Sequence, residues 1–131
     1  MRLDSTRLVY GFMIEGSDII KYAKHGDWFK QYTIEFTEED DSDEPLTEDY
    51  LWEDFITYEV FDDALHDFVK GRSFEDSLFI LGAEINEDTF TAEYIKSFIK
   101  TYREEIIDGY RYFMGFMPDE EPQFYLFNLM L

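Results

Sequence analysis

The chain has 131 residues and no cysteine, and its 31 Asp and Glu against 11 Lys and Arg give a formal net charge of −20. This charge excludes direct binding to nucleic acid or to an anionic membrane surface, because both require clustered Lys and Arg. The absence of cysteine excludes disulfides, thiolate catalysis and cysteine-ligated zinc, and it is compatible with the cytoplasmic location that we expect.

The first third of the sequence predicts two strands with a short helix between them. Residues 6–14 are rich in β-formers and alternate in part, which is typical of a strand. Residues 18–25 are expected to form a short helix that ends at Gly26. Residues 32–37 alternate in polarity, and this pattern predicts a second strand.

The middle of the chain is predicted to contain a polar loop and two helices. Residues 38–44 are almost all acidic, and we expect a loop there. Thr47 is a favourable N-cap followed by two acids, which predicts that a helix begins at this position. Residues 55–61 are locally β-like and leave the end of that helix open. A further helix, capped by an aspartate, is predicted over residues 62–70.

The last part of the chain contains the clearest periodicity. Residues 77–81 form a short apolar run that predicts a buried strand. Residues 91–108 keep their apolar side chains at spacings of three and four, which predicts an amphipathic helix ended by Gly109. Residues 110–117 are aromatic and stay unassigned. Residues 123–131 predict a last strand that pairs with the first.

Strands and helices interleave irregularly along the chain, and this order predicts the α+β class. We expect a small mixed or antiparallel sheet of roughly three to five strands packed against about three or four helices. No repeat and no long linker is visible, so residues 1–131 are expected to form a single acidic domain.

The negative charge is concentrated in the middle of the chain. Residues 31–69 contain no Lys or Arg, and fifteen acids supply most of the excess negative charge. Apolar residues are interleaved with these acids, so we expect folding to hold the acids on an ordered surface. Like charges fixed at 4 Å in water repel by about 1 kcal/mol per pair, so this pattern lowers stability.

This segment predicts a partner-binding face. Its residues are Glu38, Glu39, Asp40, Asp41, Asp43, Glu44, Glu48, Asp49, Trp52, Glu53, Asp54, Asp62 and Asp63. Trp52 stands beside two acids and is expected to be an aromatic anchor, because Tyr and Trp are enriched at protein contacts. Most other aromatic residues are expected in the core, with Tyr50, Tyr58 and Tyr110 as alternative anchors.

Catalytic and metal-binding patterns are weak. Asp63 and His66, three residues apart on a predicted helix, match half of a di-iron ligand set, but the second pair is absent. The nearby aspartates are expected to favour the charged form of the His66 imidazole. A calcium loop counted from Asp41 lacks the glycine and glutamate that an EF-hand requires. We therefore expect no catalytic residue, no metal site and no cofactor, with loose binding of Ca²⁺ or Mg²⁺ as an open alternative.

A dense row of carboxylates can match the field of duplex DNA, which carries one charge per about 1.7 Å of its axis. Such a surface attracts a basic cleft and occupies it. In composition and charge the chain resembles DNA-mimic proteins, such as phage anti-restriction and anti-CRISPR proteins. This resemblance implies a non-enzymatic inhibitor of a basic nuclease or CRISPR effector.

Four alternatives stay open, and the weakest of them is an enzyme or a cation-binding protein. In the first, the protein is an immunity protein or antitoxin that neutralises a basic toxin. In the second, it is an acidic subunit of a larger assembly. In the third case the charge serves solubility alone, although a net charge of a few units suffices for that. Binding to a basic partner predicts that the acids of residues 38–63 form one contiguous face.

Overall fold

The computed structural model describes residues 6–39, 47–86 and 91–128. These residues contain one antiparallel sheet, whose strands are β1 (Thr6–Glu15), β2 (Leu65–Val69), β3 (Leu78–Glu84) and β4 (Gln123–Asn128). The spatial order is β2-β3-β1-β4, so β1 lies inside the sheet and pairs with β3 on one side and β4 on the other.

Helices cover one face of this sheet. They are α1 (Gly16–Tyr22), α2 (Asp27–Glu39), α3 (Glu48–Asp54) and α4 (Ala92–Met114). A 3-10 turn (Ala23–His25) joins α1 to α2, and α3 runs on into a π-helical stretch (Phe55–Val60) and a last turn (Phe61–Asp63). The predicted α+β class is therefore confirmed, with an antiparallel sheet. Among the described residues, no helix is long and apolar enough to cross a membrane.

The alternation of side chains along β1 builds the main core between the sheet and the helices. Tyr10, Phe12 and Ile14 lie on the helix side and are buried, since successive side chains of a strand point to opposite faces. Phe98 of α4 packs edge-on against Tyr10, with 6.1 Å between the ring centroids. Phe113, near the other end of α4, is fully buried. These contacts fix both ends of α4 to the rest of the core.

The opposite face of the sheet carries a second, smaller apolar cluster. Val9 and Ile80 are fully buried there, and Phe127 of β4 packs with them. Phe68 of β2 lies 5.4 Å from Phe127 between ring centroids, although two strands separate β2 from β4 in the sheet. Aromatic side chains from the two edge strands therefore meet over the central ones.

β1 and β3 approach each other closely at a pair of glycines. Gly11 lies opposite Gly82 in the register of the two strands. A Cβ built on either glycine would collide with a backbone carbonyl oxygen of the other strand. A residue with a side chain would push the two strands apart, so this register requires glycine at both positions.

Six of the predicted elements are confirmed, and two of them are the short helix over residues 18–25, which is α1 with its 3-10 turn, and the buried strand over residues 77–81, which is β3. The first predicted strand is β1, and the predicted last strand pairs with it as β4. Thr47 caps α3, because its Oγ1 accepts a hydrogen bond from the backbone nitrogen of Tyr50 at 3.2 Å. Thr91 caps α4 in the same way, through the backbone nitrogen of Tyr94.

The strand predicted over residues 32–37 is wrong, because these residues lie inside α2. The alternation of polar and apolar residues is local, whereas Phe29 and Tyr32, three positions apart, share one buried face of a helix. Tertiary packing of that face decides the structure. In consequence Ile34 is 52% exposed and Phe36 is 39% exposed on the surface.

The helix predicted over residues 62–70 is also wrong, since the helical run ends at Asp63 and β2 follows it. Ala64 leaves the helical region, with φ of −140°. Leu65 then pairs with Leu81 of β3, which supplies ladder hydrogen bonds that no local pattern reveals. The β-like residues 55–61 are helical in the structure.

The predicted end of the long helix at Gly109 is wrong as well. α4 continues through the aromatic residues to Met114 and ends at Gly115. Gly115 has φ of 90°, the left-handed conformation that glycine adopts most readily and that commonly ends a helix. Gly109 is an interior helix residue.

Candidate partner-binding face

The structure describes six side chains of the predicted face: Glu48, Asp49, Trp52, Glu53, Asp54 and Asp62. Asp40, Asp41, Asp43 and Glu44 lie outside the described residues. The backbone of Glu38, Glu39 and Asp63 is helical, and their side chains lie outside the described part as well. The described part of the predicted face therefore consists of α3 and its continuation.

Three acids of α3, Glu48, Asp49 and Glu53, point to solvent because the opposite side of this helix is anchored in the core. Leu51 and Phe55, one turn apart, are buried. Glu48 and Asp49 lie in the first turn, where the helix dipole favours negative charge. Glu53 is one turn beyond Asp49, and residues at this spacing have Cβ atoms about 5–6 Å apart. All three acids are exposed.

The acids of α3 form no ion pair in the described part of the protein. The ion pairs there join Arg7 to Glu84, Lys96 to Glu93, and Arg103 to both Glu104 and Glu121. None of these pairs involves α3. Like charges four residues apart on a helix destabilise it by roughly 0.2–0.5 kcal/mol, so Asp49 and Glu53 lower the stability of α3.

Asp54 differs from the exposed acids because it is bonded inside the protein. The hydroxyl of the buried Tyr32 in α2 donates a hydrogen bond to Asp54 Oδ2. Burial raises the pKa of Tyr32, and the hydrogen bond and negative charge of Asp54 raise this pKa further. Asp54 therefore fixes α3 to α2.

Trp52 lies partly buried at the junction of α2 and α3. Its ring packs edge-on against Phe29, with 5.1 Å between centroids, and also contacts Phe55. Lys24 Nζ lies 5.4 Å from the centre of the Trp52 ring, a cation–π contact supplied by the protein itself. The structure thus gives Trp52 a packing role, and its role as a partner anchor stays a prediction.

Two tyrosines, rather than Trp52, are the strongly exposed aromatic residues of this helical run. Tyr50 is 58% exposed and Tyr58 is 64% exposed. The sequence indicated both as alternative anchors. We define the acidic-aromatic face by its five exposed members, which are Glu48, Asp49, Tyr50, Glu53 and Tyr58.

Asp62 lies in a different environment from the acids of α3. It lines a polar cleft of about 390 Å³ at the end of the sheet, together with His66 and the Arg7–Glu84 ion pair. Sequence reasoning missed this cleft, because residues from β1, β2 and β3 form it and only the fold brings them together. The predicted acids are thus divided between at least two environments.

His66 lies in β2 and lines the same cleft. Its Nε2 is 3.3 Å from the carbonyl oxygen of Gly82. Burial lowers the pKa of His66, against the opposing effects of the Gly82 carbonyl and Glu84. The neutral imidazole is therefore favoured, and the expectation of a charged imidazole is wrong, because burial outweighs the nearby acids.

The described residues contain no group of three or more His, Asp and Glu side chains that is placed to hold a metal ion. No family model, curated protein or solved structure matches this chain. Function is therefore inferred from the chemistry of the faces and cavities themselves.

Proposed function

We propose that this protein is a non-enzymatic acidic binding protein that presents its carboxylate-rich face to a basic, nucleic-acid-binding protein. In this proposal it acts as a DNA-mimic inhibitor of the phage anti-restriction or anti-CRISPR type. Its target is a nuclease or CRISPR effector, and it acts in the cytoplasm, where such a target meets nucleic acid.

One observation carries the proposal: exposed acids that form no ion pair among the described residues and two exposed tyrosines lie in the same helical run. Asp49 and Glu53 repel each other without an ion-pair partner in the described residues, which lowers the stability of the free protein. Solubility alone does not require large exposed rings such as Tyr50 and Tyr58 beside these acids. Tyr is enriched at protein interfaces, where its ring buries apolar area and its hydroxyl stays hydrogen-bonded.

The spacing of the charges also bears on the size of the site. Residues four apart on a helix are separated by about 6 Å along its axis. A DNA strand carries one phosphate per about 3.4 Å of the helix axis, so α3 alone is a sparser row of charges than DNA. The proposal therefore includes acids of residues 38–44 next to α3 in the sequence.

The test compares neutral variants of the full chain in binding to a basic target identified by co-purification from the source cell. In the first variant Glu48→Gln, Asp49→Asn and Glu53→Gln remove three charges from the acidic-aromatic face. We expect the association rate constant at low salt to fall about tenfold, because electrostatic steering accelerates association. We also expect the wild type to displace labelled duplex DNA from the target.

A matched variant carries Glu75→Gln, Asp119→Asn and Glu120→Gln, which are exposed acids outside the face. It has the same net charge as the first variant and is expected to bind almost like the wild type. Equal losses in both variants would show that net charge alone steers binding, and would contradict the proposed face.

Displacement of DNA separates mimicry from its alternatives. A target that binds the protein and DNA at the same time would contradict a DNA-mimic inhibitor. A basic toxin as the co-purified partner, bound without DNA displacement, would favour the immunity-protein or antitoxin alternative. A multi-subunit complex with constant stoichiometry would favour the role of an acidic subunit.

A further inference from the structure

A mainly apolar cavity of about 250 Å³ lies between α4, α2 and the helix side of β3. Leu81 and Ile106 are among its buried lining residues. An apolar cavity of about 150 Å³ already accommodates benzene, so this one has room for a ring system of one or two cycles. The cavity is separate from the acidic-aromatic face, none of whose residues lines it.

One wall of this cavity contains a glycine that destabilises the helix in which it lies. Gly109 lies inside a helix of 23 residues, where glycine is less favourable than alanine because it loses more backbone freedom. A Cβ built on Gly109 meets no atom within 4 Å. Close packing therefore does not require glycine here, and a side chain at this position has open space beside the cavity.

Two aromatic side chains on opposite elements line the cavity and are held by other rings. Trp28 of α2 packs edge-on against Phe55 and Phe113, at 5.6 Å from each between centroids. Tyr102 of α4 lies 4.5 Å from Phe98. These contacts hold the two aromatic walls in place before a ligand binds, which lowers the entropy cost of binding.

The charge at the cavity determines whether a cationic or an anionic ligand is favoured. Among the described residues that line the cavity, Glu105 alone is charged, and it is exposed. In the part of the chain that the structure describes, no ion pair involves Glu105. A carboxylate beside aromatic walls favours an organic cation, because an ammonium group is attracted by both.

We propose that this cavity binds a small aromatic amine, with its ring between Trp28 and Tyr102 and its ammonium group beside Glu105. A ligand of about twelve heavy atoms fits the volume, and a dissociation constant on the order of 1 mM is expected for a ligand of this size. The site is independent of any protein partner of the acidic-aromatic face.

The test uses tryptamine as the probe, with neutral indole and anionic indole-3-acetate as charge controls. Binding to the full chain is followed by the amide resonances of its glycines in a two-dimensional NMR titration. We expect tryptamine to shift the signals of Gly82 and Gly109, which line the cavity. The signals of Gly71 and Gly115, which do not, are expected to stay in place. Indole is expected to bind more weakly, and indole-3-acetate not at all.

Three variants locate the ligand. Gly109→Leu fills the cavity and is expected to abolish the shifts, and Gly109→Ala weakens binding about threefold while raising the melting temperature. Glu105→Gln is expected to lower the affinity for tryptamine about fivefold and to leave that for indole unchanged. Glu120→Gln, which removes an exposed charge outside the cavity, is the matched control.

Several results would overturn the proposal. These are shifts at Gly71 and Gly115 equal to those at the cavity, the same affinity for all three probes, or unchanged binding by Gly109→Ala. If Gly109→Leu fails to fold, Gly109→Ala and Glu105→Gln still decide the outcome.

Discussion

α3 and α4 are both capped by a threonine and both carry exposed acids, but only the acids of α4 form ion pairs among the described residues. On α4, Lys96 pairs with Glu93, and Arg103 pairs with Glu104 and with Glu121 of the following loop. The bond to Arg103 lowers the pKa of Glu121, and the same bond raises the pKa of Arg103. On α3 the exposed acids have no such partners among the described residues.

The comparison separates two uses of surface charge. The mixed charges of α4 keep a helix soluble at little electrostatic cost. The single-sign charge of α3 is opposed by mutual repulsion, so burial of its other face must hold the helix in place. A surface that lowers the stability of the free protein suits a protein that becomes more stable when a cation-rich partner binds.

The largest expected effect comes from removing the buried anchor of α3. Phe55→Ala deletes a fully buried ring and is expected to lower the free energy of unfolding by about 3–5 kcal/mol. Tyr58→Ala, in the same helical run but exposed, is expected to change it by less than about 0.5 kcal/mol. Urea unfolding followed by circular dichroism measures both, and similar losses would refute the division of this run into buried and exposed sides.

An intermediate effect is expected from the N-caps. Thr47→Ala and Thr91→Ala each remove one side-chain hydrogen bond to a backbone nitrogen and are expected to cost about 1 kcal/mol. Hydrogen exchange sharpens the comparison, because the short and self-repelling α3 should open locally while α4 stays protected. If the amide of Leu51 in Thr47→Ala were protected from exchange as strongly as the amide of Phe98 in Thr91→Ala, this expected difference would be contradicted.

The smallest expected effects have opposite signs on the two helices. Glu53→Gln relieves repulsion with Asp49 and is expected to stabilise the protein by about 0.2–0.5 kcal/mol. Glu93→Gln removes the pair with Lys96 and is expected to destabilise it by a similar, small amount of about 0.3 kcal/mol. Both differences should vanish in 1 M salt, where the screening length is about 3 Å. Changes of the same sign would contradict the contrast between α3 and α4.

The sequence predicted elements well where the local pattern and the tertiary packing agree. Phe98 and Ile106 recur on one side of α4 and are buried there, so periodicity located this helix. Residues 32–37 alternate like a strand, but Tyr32 belongs to a helix face that begins with Phe29. β2 depends on its partner β3, which lies beyond a loop in the sequence, and no local pattern contains that information.

The candidate site was predictable in its charge and much less in its geometry. The absence of Lys and Arg from residues 31–69 is visible in the sequence, and it identified the acids of α3. Burial is a property of the fold, so Trp52 and Tyr50 could not be distinguished as packed and exposed. Asp54 looks like its neighbours in the sequence and differs only because Tyr32 of another helix bonds to it.

The pairing of β1 with β4 has a consequence for how the protein reaches its folded state. Thr6 lies opposite Asn128, so β1 is paired with a strand that is synthesised more than a hundred residues later. Until β4 emerges from the ribosome, β1 keeps one edge of backbone hydrogen-bonding groups open to other chains. Contacts so distant in sequence also form slowly. The many acidic residues of the incompletely synthesised chain would repel other nascent copies until β4 has paired with β1.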